Sequence, residues 1–260
     1  MIAGQLEERG WATFPPSNEL SDWIDHVDPI AHQIANDERQ RRKWLRHGET
    51  WFAGVNCLGA SPDGSVAGGP PFPGHLLKCL DQLGVEWHGF DPGQISVCYP
   101  GYPQRDSNES DAAWRFRRHR DAAHVDGLLR KGDPARRYLG EHHAFILGIP
   151  LAQYSEHAAP MVVWDGSHRM ISAVMQRRLK DVAPEYWGQV DLTDDYVAAR
   201  RACLNSCKRM PLVVPKGSAY LLHRWALHGV APWTAGQGER AIVYFRPHVT
   251  HCGQRFLGAR

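Results

Sequence analysis

Three His-x-Asp pairs occur in this 260-residue chain, His26/Asp28, His119/Asp121 and His124/Asp126, and each is a candidate half of a metal site. A chain with 15 histidines yields about one such pair by chance, so the surroundings must separate them. On an extended segment residues two apart point the same way and can share one ion, whereas on a helix they diverge. His26 and Asp28 fall within a segment of helical spacing. His119 and Asp121 sit among Arg115, Arg117, Arg118 and Arg120, whose charge repels a dication. His124 and Asp126 lie between small apolar residues and Gly127, which lets the chain turn sharply. The 124/126 pair is therefore the preferred one.

A third ligand is found far downstream, in GSAYLLHRWALHGVAPWTAGQGERAIVYFRP, at His228-Gly229. Two histidines and one carboxylate make the facial triad of non-haem Fe(II) oxygenases, which leaves positions open for cosubstrate and dioxygen. Zinc is the other occupant such ligands admit. A zinc hydrolase needs a general base nearby, however, and has no use for Arg240 at the start of the next strand, where a guanidinium fork can clamp a carboxylate. Arg246 shares the face of Arg240 by alternation and is the alternative clamp, although the proline after it places it near the strand end. Gln94, on the strand before the preferred pair, either touches a cosubstrate or hydrogen-bonds within the sheet.

Taken in order, His124-x-Asp126, the strand and turn VVWDGSHR (Val162 to Arg169), His228-Gly229 and Arg240 resemble the Fe(II)/2-oxoglutarate dioxygenases, in particular their phytanoyl-CoA dioxygenase-like branch. The similarity runs from about Gln94 to Arg246. DGSH stands where that branch usually has PGSH, and HGV where it often has HGS. The resemblance implies a double-stranded β-helix holding Fe(II) on His124, Asp126 and His228, with 2-oxoglutarate on the metal and its distal carboxylate on Arg240. It further implies hydroxylation of a small molecule by dioxygen, with release of succinate and carbon dioxide. Halogenation is disfavoured, because the halogenating relatives replace the carboxylate that Asp126 supplies. The rival classes are a zinc hydrolase and a non-catalytic binding or sensory jelly roll.

The elements that must position these residues are short β-type runs bounded by Gly and Pro, among them QISVCYPGY, HHAFILGIPL, PMVVWDGSH, PLVVPKGSAYLLH and RAIVYFRP. Strands separated by turns rather than by regular crossover helices predict a mainly β protein with flanking helices, an antiparallel sandwich or jelly roll, which the resemblance narrows to a double-stranded β-helix. One domain is expected over 1–260, with a mostly helical flank over 1–90 and the core over 91–255. Within the flank, helical spacing runs from Glu19 to Trp44, with Ser21 as a cap and Pro29 as a break, and again from His75 to Leu83. A polar helical insertion over about 170–208 interrupts the strands. It is expected to form either a lid or side wall, with Tyr186 and Trp187 able to close over a substrate, or a surface helix pair or dimer contact.

Thirty basic and 28 acidic residues leave a charge of +2, too small a bias to draw the chain to nucleic acid or to an anionic membrane. No apolar run reaches the ~18 residues of a membrane span, and a cytoplasmic location is expected. Six cysteines without a CxxC suggest neither a disulfide framework nor a zinc knuckle. Arg115 to Arg120, just ahead of the preferred pair, read either as a solvated loop or as an electropositive entrance that would favour an anionic small-molecule substrate.

Overall fold

The computed structural model describes residues 2–253, 256 and 257. Along the chain lie α1 (Ile2–Arg9), β1 (Trp11–Phe14), α2 (Asn18–Asn36), α3 (Glu38–Trp44), β2 (Leu45–Arg46), β3 (Trp51–Gly54), α4 (Gly74–Asp81), β4 (Gln94–Cys98) and α5 (Asp111–Arg120). There follow β5 (Leu128–Lys131), β6 (Arg136–Leu139), β7 (Phe145–Pro150), β8 (Met161–Trp164), α6 (Ser167–Leu179), a 3-10 turn (Pro184–Gln189) and α7 (Thr193–Ser206). The chain closes with β9 (Arg209–Leu212), β10 (Ala219–His223), β11 (His228–Val230) and β12 (Arg240–Phe245).

The strands form a seven-stranded sheet in the order β1-β10-β7-β12-β4-β3-β2, a three-stranded sheet β11-β8-β9 and the hairpin β5-β6, all antiparallel. Alternation divides the large sheet into two faces. Ile146, Tyr220, Leu222, Ile242 and Tyr244 point inward and pack on Met161, Val163 and Leu212 of the small sheet. Leu147, Leu221, Val243 and Phe245 point outward beneath α2. The outer face of the small sheet, Val162 and Trp164, is covered by α6 and α7 through Ile171, Met175, Tyr196 and Cys203. Between the two sheets lies an interior onto which β12 aims Arg240.

Three expectations for the flank are corrected. Pro29 does not break the helix: α2 runs through it. The ~3 kcal/mol that an interior proline costs is outweighed by burial of Leu20, Trp23, Ile24, Val27, Ala31 and Ala35, where each large apolar side chain contributes roughly 1.5–3 kcal/mol. The cap is Ser17, whose hydroxyl accepts from Leu20 N at 3.2 Å, and not Ser21, which lies one turn inside. The flank over 1–90 is also less helical than expected, since β1 and β3 extend the large sheet on both sides.

One contact ties α2 to the approach to β12. His32 Nε2 bonds Glu239 and its Nδ1 bonds Asp28 O at 2.8 Å. The Glu239 carboxylate raises the imidazole to about 9, against the desolvation that favours its neutral form. A histidine raised on folding contributes stability that is complete below its unfolded value of about 6.5 and lost as pH rises through about 9. The pair is one-third exposed, so solvent screening limits it to about 1 kcal/mol. The melting temperature should therefore fall on alkalinisation across this window, and His32→Gln should flatten that part of the profile. A His32→Gln profile parallel to wild type would remove the pair from the account.

Candidate metal centre

His124 and His228 are opposite each other in an isolated antiparallel bridge: His124 N donates to His228 O at 2.8 Å and His228 N to His124 O at 3.0 Å. The segment carrying His124 thus adds an edge to the small sheet beside β11. The two rings sit with centroids 4.6 Å apart. Each ring is turned by the same device, Nδ1 bonding a carbonyl two residues back, Ala122 O at 3.0 Å for His124 and Ala226 O at 2.9 Å for His228. With Nδ1–H donating to a carbonyl, Nε2 carries the lone pair a metal takes.

Both Nε2 atoms converge on one oxygen, Asp126 Oδ1, at 3.1 Å from His124 and 3.7 Å from His228. The three donor atoms lie within 4.8 Å of one another. Burial opposes the charge on Asp126, but His228, His124 and Arg246 together hold its carboxyl well below the usual carboxylate range. It is therefore ionised as a ligand must be. The His124 side chain is 44% exposed against 4% for His228, so the site opens on the His124 side.

The remaining candidates fall around this cluster. Arg246 Nη1 donates to Asp126 Oδ2 at 3.3 Å and its Nη2 to Gln94 Oε1. Gln94 is thus hydrogen-bonded inside the sheet, one link from the carboxylate. Arg240 lies on the same face of β12, six residues and about 20 Å of strand away. It is 1% exposed, and its Nη2 donates to Cys98 Sγ at 2.8 Å. Tyr154, Tyr220 and Tyr244 surround it, the last two sharing a 2.8 Å hydroxyl contact. Among the described residues Arg240 Nε and Nη1 make no hydrogen bond, and the guanidinium's close neighbour is the Tyr244 hydroxyl. An uncompensated buried guanidinium is expensive, and a carboxylate is the group that would satisfy both free nitrogens.

The rival pair has a different task. Asp121 accepts from Arg209 Nε at 2.7 Å and Nη2 at 2.9 Å, and ends α5 in the left-handed conformation with φ 54°. The arginine run of residues 115–120 forms α5, where Arg117 is bound to Glu109 at 2.8 Å.

Three features escaped the sequence reading. The contact of Arg246 with Asp126 has no local signature, because it joins residues 120 apart. Tyr196 of the helical insertion accepts a hydrogen bond from Val125 N at 3.1 Å, between the two ligands of the pair, and places α7 as a wall behind them. Trp187, expected to cover a substrate, is fully buried against Phe256 and His142 instead. A second cluster, His47, Asp106 and Glu109, also meets the donor spacing for a metal, but Arg117 already supplies the cation beside Glu109.

No family model matches the chain, and no curated protein does. Solved structures do. The epimerase SnoN in complex with Fe3+, alpha ketoglutarate and nogalamycin RO aligns over 100% of this chain and 88% of its own, at 11% identity and a TM-score of 0.50. The fold is a double-stranded β-helix. AviO1 from Streptomyces viridochromogenes Tue57 aligns over 94% of this chain and 93% of its own, at 14% identity and a TM-score of 0.49. HygX from Streptomyces hygroscopicus, with nickel, 2-oxoglutarate and hygromycin B bound, aligns over 97% and 88%, at 13% identity and a TM-score of 0.48.

Proposed function

We propose that the protein is an Fe(II)- and 2-oxoglutarate-dependent oxygenase that hydroxylates a small organic molecule and releases succinate and carbon dioxide. The observation that carries this reading is the pairing of a two-histidine, one-carboxylate cluster with a buried arginine that has two unpartnered nitrogens on the strand lining the same interior. A zinc hydrolase or a storage jelly roll built on the same cluster leaves Arg240 without a role. SnoN and HygX, with a metal and the cosubstrate bound, support the reading by fold and by precedent.

The residues fit the absent groups. Nε2 of His124, Nε2 of His228 and Asp126 Oδ1 would hold Fe(II), and Arg240 would take the distal carboxylate of 2-oxoglutarate. When bound, the metal and cosubstrate supply the oxidising chemistry that couples decarboxylation to hydroxylation by dioxygen. The chain's own contribution is placement. Arg246 holds Asp126 Oδ2, so that Oδ1 alone faces the histidines, and Gln94 fixes the guanidinium that does so. Arg246 is thereby committed to the ligand itself, which favours Arg240 as the carboxylate clamp. Ile146, Leu222 and Ile242 wall the interior and keep water from it, strengthening each charge interaction there. The opening beside His124 would admit the substrate.

Incubation with Fe(II), ascorbate and 2-oxoglutarate in air should release succinate, slowly without a prime substrate and faster when a metabolite panel includes one. Substituting Zn(II) should abolish it. Arg240→Ala should weaken 2-oxoglutarate binding by at least tenfold, the scale of a lost charge-assisted pair, while iron binding is retained. An Arg240→Ala variant with wild-type cosubstrate affinity would reject the clamp.

A further inference from the structure

A cavity lies away from the metal centre, bounded by α1, the 82–86 turn, the first turns of α6, the chain leaving β10, and by Val249, His251, Cys252, Gly253 and Phe256. It is a cleft open to solvent with a volume of about 1110 Å3, and neither the three ligand candidates nor Arg240 lines it. In its wall is Arg224, 7% exposed. The guanidinium faces the Phe256 ring at 5.0 Å, and its Nη1 makes a long 3.4 Å bond to Phe256 O. Nε is buried and has no hydrogen-bond partner among the described residues. Among the described residues no carboxylate pairs with it; the Cys252 thiol and the His223 ring are near enough to interact with its charge, and burial brings it down to about 10. Glu7 and Glu86 line the cavity without reaching it.

Beside it stands His223. Its Nδ1 accepts from Trp225 N at 3.1 Å, which fixes the proton on Nε2, and burial keeps the ring neutral, well below its ordinary range. A neutral N–H donor thus accompanies a buried guanidinium, and together they balance one negative charge. The remaining wall is largely apolar, with Leu6, Leu83, Ala144, Val249 and Phe256. A cavity of this size accommodates a small organic molecule. A buried cation without a counter-ion is costly, and an anionic guest would offset that cost.

We propose that this cavity binds a small organic carboxylate with an apolar body, the carboxylate held by Arg224 and His223 and the body by the apolar wall. The site is independent of the metal-centre reading, and either can fail without the other.

The probe is octanoate, with octanol and octyl phosphate as comparisons, measured by calorimetry on the full chain. Octanoate should bind, and octanol should bind at least tenfold more weakly because it lacks the charge. Arg224→Gln should reduce octanoate affinity by at least tenfold and Arg224→Lys should restore part of it. Because a buried arginine can matter for folding, the companion variant is Ala173→Trp, on an exposed position of α6 that lines the cavity. It should block octanoate while the circular dichroism spectrum and melting curve stay wild type. No binding of octanoate at millimolar concentration would overturn the proposal, as would equal affinity in folded Arg224→Gln and Ala173→Trp. Octyl phosphate binding at least tenfold tighter than octanoate would overturn the carboxylate assignment. Binding that falls with Arg240→Ala and not with Arg224→Gln would move the anion to the other site and overturn it as well.

Discussion

His228→Ala is expected to lose Fe(II) by about a thousandfold in affinity and to stop 2-oxoglutarate turnover with it. A protein metal site built from a few side chains is worth on the order of 12 kcal/mol, so removing one ligand of three forfeits about 4 kcal/mol, or three factors of ten. His228 is the most enclosed of the three ligands, so water cannot readily take its place at the metal. His124→Ala should act in the same direction and less strongly, since its side chain is 44% exposed and solvent can occupy the position. Metal analysis after gel filtration checks both. His119→Ala provides the contrast, because His119 is exposed on α5. Iron retained in His228→Ala and lost in His119→Ala would relocate the site.

The second large effect comes from a residue that touches no metal. Gly229 separates His228 from Val230 on β11, and a Cβ there would stand 2.2 Å from Asp121 O. That carbonyl already accepts from Val230 N at 3.1 Å, and its residue is pinned by two bonds from Arg209. Neither side can give way cheaply. Gly229→Ala should therefore push β11 off the segment carrying His124 and weaken the bridge that sets the two rings together. About 2–3 kcal/mol of stability should be lost to overpacking, and iron affinity should fall by about 10–100-fold, as when a residue that orients a ligand is removed. Thermal melting and iron titration of the same sample give both numbers. A destabilised variant that kept full iron affinity would show that the glycine serves the fold alone.

What the residues disclosed in advance depended on range. The His124/Asp126 pair could be preferred over its rivals because like charges and helical geometry act locally, and both disqualifying features were written next to the motif. The strands of the large sheet from Gln94 onward were legible through alternation and flanking Gly and Pro. β1 and β3 were not, since four residues such as Trp11–Phe14 give too short a pattern, and their partners, β10 and β4, are distant in sequence. Pro29 misled because the local penalty for proline is known while the burial that outweighs it is tertiary. Trp187 was taken for a substrate contact on its type, yet large aromatics are more often core, and its indole N–H is satisfied by Val182 O at 2.9 Å. Arg246 was weighed as a cosubstrate clamp; its bond to Asp126 spans the sandwich and has no trace in local spacing.

The bridge between His124 and His228 joins two segments about a hundred residues apart, and a metal there would act as a removable cross-link. Closing a loop of that length withdraws several kcal/mol of conformational freedom from the unfolded chain. Chelation would therefore act unevenly on the molecule. The large sheet, held by seven strands and α2, would keep its slow amide exchange. The short β11 and the His124 segment, tied to each other by three backbone hydrogen bonds, would open first, so that the amides of His124 and His228 become a reporter of metal occupancy that needs no substrate.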